Sequence, residues 1–434
     1  MAVKWLAMLG LVLSSAAPAA MRDGEVVPAA QDDPRGIPPG AVRTAVDIVL
    51  RNFTDHIAIQ GYGTHQGWVQ SAQANFAADM GQGPVRAGVD LSLYGAVKLD
   101  GGRGAGDIVR LRPDGSGQND RGWLYPGRYV ARLDVGTLAL RYGLQSPSNP
   151  FIEPKDSRSL PPTFRAFTAS MQPTDALFLE AGQVDAVNAR GSTGLQPLAS
   201  AYGGVAIPRL DYLGTQWAYA GNDKLFLYAS QARDVWRQLY GSISASRMAA
   251  GGKWTLAAAM YLVREDGAAN QGAIDTRARS LALAYQRGPS EWTLSVQRIG
   301  GDQFLDYVAQ VNGPWLANGM AADYNGPRER SLQLRYTGDG NAVGLPGSQL
   351  ILWGITGRSA AARDDAAATP LVNGKSVQGP HHEVGMKATY VFDAGAIKGA
   401  SLALIALAHR GSAYYPEPDF REIRTTLNVP FKVH

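Results

Sequence analysis

From about residue 41 onward, the chain alternates apolar and polar side chains with a period of two, and it does so many times over. In 85–98 one face carries Val89, Leu91, Leu93 and Val97 and the other Asp90, Ser92, Tyr94 and Lys98. In 127–135, Tyr129, Ala131, Leu133 and Val135 oppose Arg128, Val130, Arg132 and Asp134. In 291–300, Trp292, Leu294 and Val296 oppose Thr293, Ser295 and Gln297, and near the end Ile423, Leu427, Val429 and Phe431 oppose Glu422, Arg424, Thr426 and Asn428. Successive side chains of an extended chain point to opposite faces, so each segment reads as a strand with one apolar and one polar side. About eighteen such segments can be placed, each roughly 8 to 12 residues long, the length a tilted strand needs to cross a bilayer.

The connections follow a second pattern. Tight ones at 220–223, 249–252 and 288–290 alternate with long ones at 101–124, 145–162, 301–327 and 359–380. Turns at one rim and loops at the other are what an up-and-down membrane barrel shows. A soluble propeller or solenoid also supplies many short strands, but no blade-type repeat is present. Tyr62, Trp68, Tyr94, Trp123, Tyr125, Tyr142, Trp217, Tyr219, Trp236 and Trp254 fall near strand ends, where interfacial girdles are expected. The fold class expected is all-β, a transmembrane antiparallel barrel of about 18 strands.

Residues 1–19 read as a secretory signal, with Lys4 as the positive start, an apolar run to Leu13 and a small-residue cleavage site at Ala17-Pro18-Ala19. The run is too short for a membrane helix. Residues 20–40 read as a flexible mature N-terminus and 41–434 as a single barrel domain. The chain has no Cys, which excludes disulfides, thiolate metal sites and a Cys nucleophile. A formal net charge of +4 over 434 residues is too small to argue for nucleic acid.

The stretch 301–336 is a long connection rich in Gly, Asn, Asp and Pro that also carries Phe304, Tyr307 and Trp315, so it reads as an ordered, functional loop on a β-scaffold. No HExxH, GxSxG or phosphate loop occurs, and no catalytic residue is expected. His381-His382-Glu383 suggests a metal at first sight, but adjacent strand residues face opposite ways, so neither metal nor cofactor is expected.

Several motifs carry a family resemblance across nearly the whole mature chain. They are Leu50-Arg51-Asn52-Phe53, Lys98-Leu99-Asp100-Gly101, Arg141-Tyr142-Gly143 leading into Ser157-Arg158-Ser159-Leu160-Pro161, Asp234-Val235-Trp236-Arg237, Gly301-Asp302-Gln303-Phe304-Leu305-Asp306-Tyr307, Asp323-Tyr324-Asn325-Gly326-Pro327 and His381-His382-Glu383. In order and spacing they resemble the OprD-type substrate-specific outer-membrane porins of Gram-negative bacteria. The resemblance implies an outer-membrane channel for passive uptake of small carboxylate-bearing solutes, in contact with outer-membrane lipid and lipopolysaccharide, monomeric with a trimer as the alternative. It also implies inward-folded constriction loops, with a constriction at Ser157, Arg158 and Ser159, where the guanidinium fork of Arg158 suits a carboxylate. Asp306, with Tyr307 and Asp323, would form the acidic side opposite, and a ladder of inward cations would run through Arg51, Arg128, Arg132, Lys387, Arg410 and Arg424.

The chain departs from that pattern at Ala403, Ile405, Trp353 and Asp134, where the family tends to be basic. A shortened basic wall favours aromatic or amphipathic acids over strongly anionic solutes. A basic amino acid or peptide channel of the same family and a secreted polysaccharide-active enzyme are the alternatives. The final residue is not aromatic, which leaves Phe431, with outward parity, to serve as the terminal signal for insertion.

Overall fold

The computed structural model describes residues 42–100, 108–112, 118–221, 223–360, 371–372 and 375–433; the expected signal and flexible leader, 1–19 and 20–40, lie outside the described residues. Eighteen antiparallel strands form a closed barrel. Closure is made by the first strand, Arg43–Ile59, pairing with the last, Phe420–Val433, in a register that sets Arg51 against Asn428 and Asp55 against Arg424. A sheet in hydrocarbon has no water to satisfy its edge groups, so closing the sheet on itself is the way all of its backbone N–H and C=O groups find partners.

The outer face follows from the alternation. In the strand Trp236–Ala249 the outward residues run Arg237, Leu239, Gly241, Ile243, Ala245, Arg247, with both arginines well exposed and ion-paired at the ends, to Asp266 and Asp223. Ten residues at ~3.3 Å each span ~33 Å, and a tilt of about 40° reduces this to ~25 Å, the height of an apolar membrane band. Leu213, Leu227, Leu294, Leu334, Val384 and Ile423 extend that band around the barrel. An arginine at its midplane would cost about 2–4 kcal/mol, which explains why the charges sit at its edges. Phe431 is exposed on the same outer face.

The two rims differ as the spacing of turn signals predicts. At one rim the connections are tight and use left-handed residues, among them Gly83, Gly136, Gly221 and Gly288. At the other rim long connections fold into the barrel. The strands Arg43–Ile59 and Gly63–Gln82, with 17 and 20 residues, are longer than expected and meet at this rim.

The connection 301–329 lies along the inner wall. Backbone groups of its second half are held by inward side chains of successive strands: Tyr261 Oη accepts from the Trp315 amide (2.8 Å), Ser280 Oγ from Ala317 (3.1 Å), Gln297 Oε1 from Asn318 (3.0 Å) and Gln333 Oε1 from Gly319 (3.2 Å). The polar faces of these strands are thus matched to a chain segment and not to open water. Trp315 packs edge-on against Phe226 and Tyr240, and the largest apolar cluster of the molecule lies here, inside the barrel.

Four expected girdle residues are not in a girdle. Tyr94, Trp123, Tyr125 and Trp236 are buried on the inner face, the first three around Ile108 and Val109. Parity decides this: Leu124, between Trp123 and Tyr125, takes the lipid side. Trp68, Tyr142, Trp217 and Tyr219 are exposed as expected.

Candidate functional site

The connection 146–162 also folds inward and reaches the wall made by the first and last strands. Arg51 on that wall is 1 % exposed and binds Asp156 with both terminal nitrogens, at 2.5 and 2.8 Å, while its Nε donates to Asn428 Oδ1 at 2.7 Å. Arg158 points back to the same wall, 3.2 Å from Asp55 and 3.8 Å from Glu422. Arg424 lies 3.2 Å from Glu422 and donates to the Ser157 carbonyl at 3.1 Å. Arg51, Asp156, Ser157, Arg158, Arg424 and Thr426 line a small recess with Ala403 and Ile405.

Arg51, Arg158 and Arg424 therefore converge as expected, but each has an acidic neighbour. Asp55, Asp156 and Glu422 balance the three guanidinium charges formally. Sequence reading did not assign these acids to the constriction. The alternation placed Glu422 on the polar face, yet pairing between residues so far apart in the chain follows only from barrel closure. Ser157 and Ser159 are buried and hold the loop in place: Ser157 Oγ accepts from Arg190 Nη1 at 2.8 Å, and the Ser159 carbonyl accepts from Ser71 Oγ at 2.7 Å.

Arg128 and Arg132 face the lumen on the strand Gly122–Val135. Arg132 lies 2.9 Å from both Asp79 and Asp90, and Arg128 is 3.1 Å from Asp90. Asp134 accepts from Arg141 at 2.6 Å, so at this departure from the family pattern the acid compensates a neighbouring arginine. Lys387 is half-buried and faces inward, set against Ile351 and Ile405 in register, with no ion pair among the described residues.

Arg410 is a correction. It is exposed and shares its face with the lipid-facing Leu402 and Leu404, whereas His409 beside it is buried. The strand Ser401–Gly411 keeps its alternation without a bulge, so Arg410 cannot be a rung of an inward ladder.

Asp306 differs from the expectation of an acid facing Arg158 across the constriction. It is 3 % exposed and accepts from the backbone amides of Tyr202 (3.0 Å), Gly203 (2.9 Å) and Tyr307 (2.8 Å) and from Gln271 Nε2 (2.8 Å). These donors come from three separate connections, so the carboxyl joins them. Burial pushes its pKa above the ordinary carboxylate value despite the donors. Tyr307 and Tyr202 both donate through Oη to Asp323 Oδ2, the latter at 3.1 Å, and Phe304 stacks on Tyr202 with ring centroids 4.3 Å apart.

Trp353 is also taken out of the open lumen. It is buried with Met320, Ala322 and Tyr324 of the 301–329 connection, and its Nε1 donates to Glu383 Oε1 at 2.6 Å. Glu383 accepts in addition from the amides of Ala321 (3.1 Å) and Ala322 (2.7 Å). One inward acid thus anchors the far end of the loop.

A closed barrel with an apolar outer band, a charged inner wall and loops folded into its lumen defines a transmembrane channel of the outer-membrane porin class. The chain belongs to the outer membrane porin, OprD family, whose model matches residues 44–433. It is 28% identical to Porin D of Pseudomonas aeruginosa, over 90% of this chain and 91% of that one, and 26% identical to the porin-like protein GalP of Pseudomonas putida, over 82% and 84%. Among solved structures it is similar to OccD3 (OpdP) of Pseudomonas aeruginosa, at TM-score 0.79 and 26% identity, covering 90% of this chain and 92% of that one. It shares its fold with OpdK of the same organism, at TM-score 0.81 and 24% identity, covering 90% and 99%. The protein is accordingly a transport channel of the Gram-negative outer membrane and not an enzyme.

Proposed function

We propose that the channel takes up small carboxylates whose body is apolar or aromatic. The observation that carries this reading is the register of the last strands: Lys387 stands opposite Ile405, and Ile405 stands opposite Arg424. Adjacent strands lie ~4.8 Å apart, so two cations stand about 10 Å apart along the wall with an isoleucine between them. Ala403 lines the same recess. A carboxylate passing Arg158 and Arg424 would meet apolar surface before the next cation.

The acids beside each arginine at the recess moderate its pull on an anion. Passage requires binding that is favourable enough for entry and weak enough for exit, and paired charges supply such a compromise. Two fold neighbours are consistent with a carboxylate solute: OpdK has a structure with vanillate, an aromatic acid, and OccK2 (OpdF), also of Pseudomonas aeruginosa, one in complex with glucuronate, a polar one. Lipopolysaccharide contact fits the outward pair His382 and Arg410, which lie at the loop end of the outer face. A single chain closes its own barrel, so a monomer suffices for a complete path.

A second reading, passage of basic amino acids or peptides, is favoured by Asp156, which keeps 17 % of its side chain exposed at the recess. Single-channel recordings in planar bilayers separate the two. Benzoate is expected to block current at lower concentration than arginine does; a reversed order would overturn the carboxylate reading.

A further inference from the structure

His381, His409 and Glu417 come from three separate parts of the chain: the strands Gly379–Val391 and Ser401–Gly411 and the connection 412–419. They meet at the loop end of the wall. Both imidazoles are buried and face each other through His381 Nδ1 and His409 Nε2, 3.1 Å apart. The remaining nitrogen of each ring is already engaged, His381 Nε2 with Glu329 Oε1 at 2.5 Å and His409 Nδ1 with the Pro418 carbonyl at 3.1 Å.

Those outer partners decide where the protons are. A carbonyl only accepts, so His409 carries its proton on Nδ1 and presents a bare lone pair at Nε2. His381 Nδ1 faces that lone pair, and it either donates a proton to it or turns a second lone pair toward the same point. In the second case the point between the two rings suits an electron-poor centre. Glu417 supplies a third donor: its Oε2 is 3.9 Å from His409 Nε2, is buried and has no hydrogen-bond partner, while its Oε1 accepts from Tyr202 Oη at 3.2 Å. All three donor atoms lie within 4.8 Å of one another.

We infer that His381, His409 and Glu417 are the protein ligands of a divalent transition-metal ion of the zinc type. Two imidazole nitrogens about 2.0–2.1 Å from such an ion stand about 3.3 Å apart in tetrahedral geometry, close to the spacing present here. A small inward swing of Glu417, a loop residue, completes the third bond, and water takes the fourth position. Two nitrogen donors exclude calcium and magnesium as the preferred ions. Glu329 and the Pro418 carbonyl are then the outer partners that orient the two rings. The ring of His381 is clamped between Tyr324 and Tyr415, with centroids 4.2 and 3.9 Å away, and that of His409 stacks on Phe420. The ion would tie the 412–419 connection to the wall and, through Glu329, to the loop that narrows the channel. The competing arrangement needs no ion: a neutral Glu329 donates to His381 Nε2, and His381 Nδ1–H donates to His409.

The two are distinguished by titrating the untagged, chelator-stripped full chain in detergent with Zn2+ by calorimetry and with Co2+ by visible absorption. The expected result is one saturable site per chain, the intense visible absorption of tetrahedral Co2+, and no competition from Ca2+ or Mg2+. Glu417→Gln should weaken Zn2+ binding about 10- to 100-fold and His409→Asn should abolish it, whereas His382→Ala, outward on the same strand as His381, should leave it unchanged. Folding of each variant is checked by its heat-modifiable gel shift, and Glu417→Gln, in a connection, carries the test should His409→Asn fail to fold. No saturable binding, or binding unchanged by Glu417→Gln, would overturn the assignment in favour of the proton-bridged pair.

Discussion

Arg51 and Asp156 form a two-pronged ion pair that joins the first strand of the barrel to the loop 146–162, with distances of 2.5 and 2.8 Å. The arginine is almost fully buried, so the acid both neutralises a wall charge and positions the loop that carries Arg158.

Replacing Asp156 by Asn should therefore have two effects. The wall gains net positive charge, and the reversal potential in a salt gradient should shift toward anions. The loop should also loosen by about 3 kcal/mol, because a buried guanidinium loses its counter-charge. Hydrogen exchange across residues 146–162 would read the second effect; an unchanged reversal potential would count against a role for this pair in selection.

Ile405→Arg restores a cation between Lys387 and Arg424. Ile405 also packs against the inward-folded loop, so about 1–3 kcal/mol of stability should be lost through overpacking and charge burial. Current blockade should shift from benzoate-like acids toward dicarboxylates. A blockade order identical to that of the parent channel would argue that the isoleucine does not line the path.

The face of each strand residue makes a paired comparison possible. Lys387→Gln should lower anion selectivity, since the side chain faces the lumen, whereas Arg410→Gln should leave it unchanged, since that side chain faces outward. Equal effects from the two substitutions would contradict the assigned faces.

Asp306→Asn tests a latch and not a charge filter. The carboxyl accepts from four N–H donors, and an amide must turn its own NH2 toward at least one of them. A cost of about 1–3 kcal/mol is expected for that mismatch. Single-channel recordings should show more frequent spontaneous closures with an unaltered reversal potential.

Acid should loosen a neighbouring element. Burial pushes Asp266 up, but bonds from Gln231 (2.9 Å), Arg237 (2.5 Å) and the Asp234 amide (3.1 Å) outweigh it, and its pKa lies below the ordinary 3.8. A depressed folded-state pKa gives stability that is present above the unfolded value and lost as the pH falls through the folded one. Exchange protection of residues 266–274 should therefore hold from neutral pH down to about 4 and fall below it; Asp266→Asn should flatten the dependence. Gln271 in this segment donates to Asp306, so the loss should reach the inward loop as well.

The barrel was legible because its signal is local. Alternation at Val89 to Val97 or Ile423 to Phe431 states which side chains meet lipid, and the contrast between the Gly288 turn and the long 301–329 connection states which rim is which. The inward position of Arg424 followed from the same parity, and that of Arg51 from the family resemblance. Identity and direction of partners did not. Asp55 meets Arg158 because the chain ends close on each other, and Asp306 is buried because segments near Tyr202 and Gln271 arrive beside it. Trp123 and Tyr125 were misplaced because residue type was given more weight than parity, while the outward Leu124 between them fixed the answer.

The loop 301–329 covers one arc of the inner wall and leaves the recess on another, between the first and last strands. This separates two demands that a plain barrel would place on the same residues. Strands bound to the loop, from Tyr261 to Gln333, hold the folded interior together, and changes there carry a folding cost. The seam formed by Arg51, Ala403 and Arg424 faces the shorter loop 146–162 instead, and Ile405 alone touches both the recess and the long loop, so a change of solute preference on the seam draws mainly on the anchoring of the shorter loop. Such a division suits a scaffold that must diversify its diet without relearning how to fold.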